Sequence, residues 1–472
     1  MSRYHLESVF TPGGWQRDLI AEVSEQGFIT HLGAASPVSG PEAVERVGGI
    51  VVPGMANAHS HAFQRAMAGH TEYRSQARDS FWTWRGAMYA LANRIEPDDL
   101  EVVAAQLFVE MLKRGYTTVA EFHYLHRRRD GSAYTAANAL WDAVGNAAAM
   151  AGIGITFLPT LYQTSDFGAQ PLRNDQARFA FETDAFVHAV ESRVNAERRD
   201  GGHRARSGAQ RTGVAFHSLR AVPLENVREV TRRLRENDPH MPTHVHVAEQ
   251  ILEVKACLRE TGKRPIELLD RSGCLTPRTT VIHATHADGG ELDLLAAAGA
   301  RICVCPTTEA NLGDGFFDTT RYLRAGGRLC VGSDSQSTVS PAEELRWLEY
   351  QQRLRKRRRA VLGERGEPHV GTRLWSEAAR RGAAALGQPA GAIEVGRRAD
   401  WLVLDASHPA LAGGSVDTAL DRLLFAGGEA AIRDVMVAGR WLIKDQRHAQ
   451  EGQLQARFAD VMRRLAPQDP GT

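Results

Sequence analysis

Between residues 50 and 340 the chain repeats one pattern: a short apolar run rich in Val, Ile and Thr, then a longer segment whose apolar residues recur every three or four positions. The runs are GIVVPGMANAHSH, TTVAEFHYLH, GITFLPTLYQ, GVAFHSLR, PTHVHVAEQ, TTVIHATHAD, ARICVCPTTE and GRLCVGSDSQ, eight in all. Between them stand stretches such as DDLEVVAAQLFVEMLKRG, NALWDAVGNAAAMAG and LENVREVTRRLREN, helical in period and often ended by Gly. Strand then helix, eight times over, predicts an α/β fold: a parallel (β/α)₈ TIM-like barrel.

The flanks have a different texture. YHLESVFTPGGW and VERVGGI near the start, and GAIEVGRRADWLVLDASHP and RDVMVAGRWLIKD near the end, read as short strands broken by Gly and Pro. Residues 1–52 and 389–472 are therefore expected to fold together as one small β-sandwich domain, with a tail of a few residues, around a barrel of residues 53–388.

Composition narrows the function classes. A chain of 472 residues, 43% hydrophobic and 24% charged, can bury a large core. Lys+Arg 57 against Asp+Glu 56 leaves a formal net charge of +1, so no global electrostatic case exists for nucleic acid or an anionic membrane. The Arg-rich QRLRKRRRA at 352–360 reads as a solvated helix face. The N-terminus lacks a basic-then-apolar leader pattern, and no apolar stretch reaches the roughly 18 residues of a membrane span, so a cytoplasmic protein is expected. Five scattered cysteines read as buried reduced thiols; Cys303-x-Cys305 without a second pair is a poor zinc signal.

The polar residues gather at the C-terminal ends of the apolar runs, where barrel enzymes place their chemistry. These are His59 and His61, Glu121, His123 and Tyr124, His217 and Arg220, His246 and Glu249, His283, and Asp334. In an extended strand His59 and His61 project to one side and could grip one ion together. A catalytic metal needs nitrogen or oxygen donors and an open position for water. Taken singly, His283 reads as a core histidine and Asp334 in GSDS as a turn cap. Taken jointly, five such groups at successive strand ends point to a metal centre.

The pieces PGMANAHSH, HVHVAE, VIHATH, GSDS and GAIEVGRRADWLVLD resemble the amidohydrolase superfamily over nearly the whole chain. That resemblance implies metal ligands at His59, His61, His246 and Asp334, with His283 beside the reacting water. It prefers His246 over His244 because His246 stands three residues before Glu249, the H-x-x-E pattern of the family's deaminases. Two-metal members use a carboxylated lysine at the fourth strand; GVAFHSLR has none, which favours one metal, zinc, with iron also compatible. The implied catalytic groups are Glu249, His283 and Asp334, acting in hydrolytic deamination.

Beyond the metal, the pocket candidates are Gln64, Arg85, Tyr124, His217 and Arg220. Two arginines suggest a substrate carrying carboxylates. The combination AFQRAMAG, FWTWRGAMY, EFHYLH and FHSLR resembles the branch that acts on N-formimidoyl-L-glutamate in bacterial histidine degradation. It implies that Arg220, Arg85 and Tyr124 hold the two carboxylates while Gln64 and His217 address the formimidoyl end or the adjacent carboxylate. Arg85 alternatively stacks on its aromatic neighbours in a loop, or serves a neighbouring subunit of the expected homodimer; Tyr124 alternatively is a satisfied core phenol. Deamination of guanine, of an adenosine derivative or of another amidine stays open, as does a non-catalytic binding module.

Overall fold

The computed structural model describes residues 1–34, 44–74, 77, 79–136, 138–199 and 208–466. The expected tail falls in residues 467–472, outside the described residues.

Eight parallel strands form the barrel: β5 (Met55–Ser60), β6 (Tyr116–His123), β7 (Gly154–Leu161), β9 (Val214–Ser218), β10 (Thr243–Val247), β11 (Thr279–His283), β12 (Arg301–Val304) and β13 (Arg328–Val331), with the three-residue β8 (Gln210–Thr212) beside β7. Each coincides with one of the eight apolar runs, β6 starting one residue ahead of its run at Tyr116. The seam between β13 and β5 is bridged by a single parallel pair, Ser60 with Asp334. The helix Pro97–Arg114 illustrates the repeat: proline and two aspartates open it, Lys113 and Arg114 occupy its last turn, and Gly115 at φ 105° ends it before β6.

One run, the first, breaks where one strand was expected. It is split at Gly54, so that β4 (Val44–Pro53) joins the second sheet and only β5 joins the barrel. A Cβ on Gly54 would come within 2.2 Å of the Thr117 side chain. The fourth run forms the single strand β9, with the separate β8 ahead of it; a Cβ on Gly213, between the two, would lie 2.7 Å from Leu158 and 2.9 Å from the Pro242 carbonyl.

The chain ends supply β1 (Ser2–Thr11), β2 (Gly14–Val23), β3 (Ile29–Ala34), β14 (Trp401–Leu404), β15 (Ile432–Val437), β16 (Arg440–Lys444) and β17 (Arg447–His448). With β4 they form one continuous eight-stranded sheet, joined across the ends by antiparallel β14 on β4. This sheet encloses its own core of Leu6, Val9, Val51, Trp401 and Met436. The last helix, Glu451–Leu465, lies against the barrel helix Pro97–Arg114, with Arg464 Nη2 2.5 Å from Asp99 Oδ1. All five cysteines are buried and unpaired. Among the described residues no helix is long and apolar enough to cross a membrane.

Candidate active site

Four side chains converge at the C-terminal mouth of the barrel, across its seam. β5 ends at Ser60, yet His61 stays extended (φ −120°, ψ 90°), so its imidazole faces the same side as that of His59. His59 Nε2 lies 3.0 Å from His246 Nε2 and 3.3 Å from Asp334 Oδ1, and His61 Nε2 lies 3.4 Å from the same oxygen. The Phe122 carbonyl lies 2.8 Å from His61 Nδ1, and the His217 carbonyl 2.7 Å from His246 Nδ1. A carbonyl only accepts, so both protons sit on Nδ1 and both Nε2 atoms present lone pairs to the centre. Burial first, and neighbouring imidazoles second, holds His59 and His246 well below the ordinary histidine pKa; burial also lowers His61. Neutral imidazoles beside one carboxylate are the donor set of a divalent cation such as zinc. His244 faces elsewhere, its Nε2 3.0 Å from the Ala385 carbonyl.

The backbone that carries these ligands is locked. Asp334 N–H donates to the His59 carbonyl at 3.0 Å, and His61 N–H donates to the Asp334 carbonyl at 3.1 Å. A Cβ on Gly332 would sit 2.6 Å from His59 Cβ, so only glycine lets the two strands approach this closely. Beneath them Glu121 accepts from Ser60 Oγ and from Ala62 N–H, both at 2.7 Å. Burial raises its pKa to about 8, against the pull of those two hydrogen bonds, which hold the flanks of His61.

Above the ligands, His283 Nε2 lies 3.7 Å from Asp334 Oδ2 and 3.8 Å from Glu249 Oε1. Burial alone would lower the His283 pKa, but Glu249, Glu309 and Asp334 raise it to about 10. Burial pushes the Glu249 carboxyl well above its usual range, and the carboxylates of Asp314, Asp334 and Glu253 add to this. A proton therefore resides within this group at neutral pH, beside the donor cluster, where it can be delivered to a departing nitrogen.

A cleft opens over this centre, and Gln64, Arg85, Tyr124, His217 and Arg220 all line it. Arg220 is not at the strand end itself; it sits in the turn two residues past β9, its Nη1 donating to the Ser165 carbonyl at 2.6 Å. Arg85 is not in a loop: it lies in the helix Phe81–Ala92, with its guanidinium 4.3 Å above the Trp82 ring. That helix is tied to its own chain. Tyr89 Oη is 3.3 Å from Tyr162 Oη, and the buried Arg178 donates to the Ala92 carbonyl at 2.6 Å. Arg85 therefore reaches the cleft of its own chain. Among the described residues neither Arg85 nor Arg220 has a carboxylate partner. Gln64 Nε2 donates to Tyr124 Oη at 3.0 Å, while Gln64 Oε1 is buried without a partner. Burial and the two guanidinium charges keep His217 neutral.

Sequence reasoning missed three groups. Glu309 touches His283 Nδ1 at 3.3 Å, and it was visible at the end of the seventh run, ARICVCPTTE. Glu253 accepts from the N–H groups of Ala248 and Glu249 at 3.1 Å each, holding the turn that presents Glu249. Tyr162 Oη receives Gln176 Nε2 at 2.8 Å and hydrogen-bonds Arg220. Tyr162 stands at the end of the third run, GITFLPTLYQ, whereas no local pattern marks Glu253.

A closed parallel barrel with a His-x-His pair, a further histidine and an aspartate at its strand ends is the architecture of a metal-dependent hydrolase. The model of the amidohydrolase family matches residues 50–442, and the chain belongs to that family. Over 465 residues it is 45% identical to a formimidoylglutamate deiminase of Pseudomonas aeruginosa, covering 98% of this chain and 100% of that one. Among solved structures, an amidohydrolase from Brucella melitensis superposes with a TM-score of 0.91 at 38% identity, covering 99% and 100% of the two chains. An adenosine deaminase from Xanthomonas campestris with bound zinc shares the fold at a TM-score of 0.79 and 21% identity, covering 98% of each chain.

Proposed function

We propose that this chain is a metal-dependent deaminase that hydrolyses N-formimidoyl-L-glutamate to N-formyl-L-glutamate and ammonia. The observation that carries the reading is the pair Arg85 and Arg220: two guanidinium groups on one cleft, neither in salt-bridge contact with a carboxylate among the described residues, next to a centre built for metal. Burial and the neighbouring Arg220 and Arg173 charges disfavour the Arg85 cation, so the cleft is matched to a ligand that brings carboxylates. A purine brings none. The 45% identity to a formimidoylglutamate deiminase supports the same substrate.

His59, His61, His246 and Asp334 would hold one divalent ion, zinc in this reading with iron also compatible; the strand Val214–Ser218 offers no lysine to bridge a second. The bound ion lowers the pKa of a water from about 15.7 towards 7 and so supplies the nucleophile. The chain's own groups do the rest. Asp334 takes a proton from the attacking water, and His283 Nε2 faces the charge that develops as the formimidoyl carbon becomes tetrahedral. Glu249 passes a proton to the leaving nitrogen, so that one water is consumed and one ammonia released. Gln64 Oε1 offers an unused acceptor to the amidine N–H. The homodimer and cytoplasmic location belong to this proposal too, with each cleft complete in one chain. Ammonia release from N-formimidoyl-L-glutamate by the zinc-loaded protein, compared with guanine, adenosine and formamidine, tests it; faster turnover of any of these three would overturn the substrate assignment.

A further inference from the structure

Glu309 takes no part in the chemistry set out above, yet it is one of the most deeply buried carboxyl groups of the barrel mouth. It is 1% exposed. Its Oε1 accepts from Cys305 N–H at 2.9 Å and faces His283 Nδ1 at 3.3 Å, while Oε2 has no partner. A carboxylate at that depth needs a cation or donors to compensate its lost hydration. The imidazole of His283 is the cation-forming group set against it. That imidazole stands on unfavourable backbone: His283 has φ 69° and Ala284 φ 51°, left-handed conformations that a side chain disfavours. Contacts made by the ring must therefore hold its orientation.

We propose that Glu309 is a positioning residue for the hydrolysis: it accepts the Nδ1 proton of His283, which fixes the ring so that Nε2 faces the reacting atoms between Glu249 and Asp334. Without that acceptor, the buried Nδ1–H would be unsatisfied, and the ring would turn over. This inference rests on the deaminase reading only in that His283 acts on the substrate; it does not depend on which amidine is bound.

The experiment uses the zinc-loaded full chain with Glu309→Gln, which keeps shape and an acceptor oxygen, and Glu309→Leu, which removes both. Zinc content, KM, kcat and the ¹⁵N spectrum of the His283 ring are measured for each. The expected result is unchanged zinc content, KM within about twofold, and kcat lower by about 10-fold for Gln and about 100-fold for Leu. The signature of a hydrogen-bonded His283 Nδ1–H in the parent chain is expected to be lost in the Leu variant. Wild-type kcat in a zinc-loaded Leu variant, or losses confined to zinc content or KM, would overturn the proposal. Should the Leu variant fail to fold, the Gln variant decides by the same criteria. If the parent chain releases no ammonia from N-formimidoyl-L-glutamate, the proposed substrate falls, while the ring spectrum still decides the role of Glu309.

Discussion

The Nε2 atoms of His59 and His246 face one another at 3.0 Å, and the His246 proton is committed to the His217 carbonyl on the far side of its ring. His246 Nε2 therefore turns a lone pair towards His59, and a cation between the rings would be held by the Nε2 atoms of both. The relationship is a statement about what the site is for, made by atoms that belong to strands on opposite sides of the barrel mouth.

The first prediction follows directly. The chain should bind one divalent ion, and chelation should lower its thermal stability as well as abolish turnover, because an ion that binds only the folded state at about 1,000 times its Kd adds about 4 kcal/mol. Metal analysis and thermal unfolding with and without zinc check this. Two ions per chain would rule out the four-ligand site drawn above.

Glu249→Gln should keep the metal and the fold while kcat falls by at least about 100-fold, since the swap is nearly isosteric and removes only the proton that Glu249 carries. Zinc stoichiometry, circular dichroism and steady-state rates on one preparation are sufficient. Activity near that of the parent chain would remove Glu249 from the proton transfer.

Arg220→Met should act on substrate binding. A substrate carboxylate left buried and unpaired costs on the order of 2–5 kcal/mol, so kcat/KM for N-formimidoyl-L-glutamate should drop by about 30- to 4,000-fold with zinc content unchanged. Formamidine, which has no carboxylate, should be a poor substrate whose turnover barely changes. An equal loss on both compounds would mean that Arg220 supports the site's structure rather than its specificity.

Acid should weaken the fold through histidines outside the metal centre. His126 receives Trp141 Nε1–H on Nδ1 at 3.0 Å and donates from Nε2 to the Thr160 carbonyl at 2.8 Å, so it has no room for a second proton. Burial lowers its pKa, and that of His244, to about 4. With an unfolded value near 6.5, the unfolded chain binds more protons between these limits. The stability that the neutral rings represent is complete above pH 6.5 and is lost as pH falls towards 4, on the order of 3 kcal/mol for each ring. In chemical denaturation, His126→Gln should be less stable than the parent at pH 7.5 but lose less on transfer to pH 5. A parallel decline in both chains would contradict this account of His126.

The sequence by itself determined the alternation of strand and helix, because hydrophobic period is local and each of the eight runs needs only its own residues to read as a strand. It also determined the chemistry available at the mouth, since barrel strands present their C-terminal ends to one face and His59, His61, His246, Glu249, His283 and Asp334 all stand near such ends. Only the tertiary structure decided where the first run divides, because Gly54 is required by Thr117, a residue 63 positions away that no local window contains. It alone decided that Arg85 reaches its own cleft, through hydrogen bonds from Tyr89 and Arg178 that cross between elements. Glu309 and Glu253 escaped notice for the same reason: a carboxylate becomes part of a site through the donor placed opposite it, and that donor is chosen by packing. The pKa values that set His283 and Glu249 to their tasks likewise arise from burial and from charges on other strands, quantities that exist only once the barrel has closed.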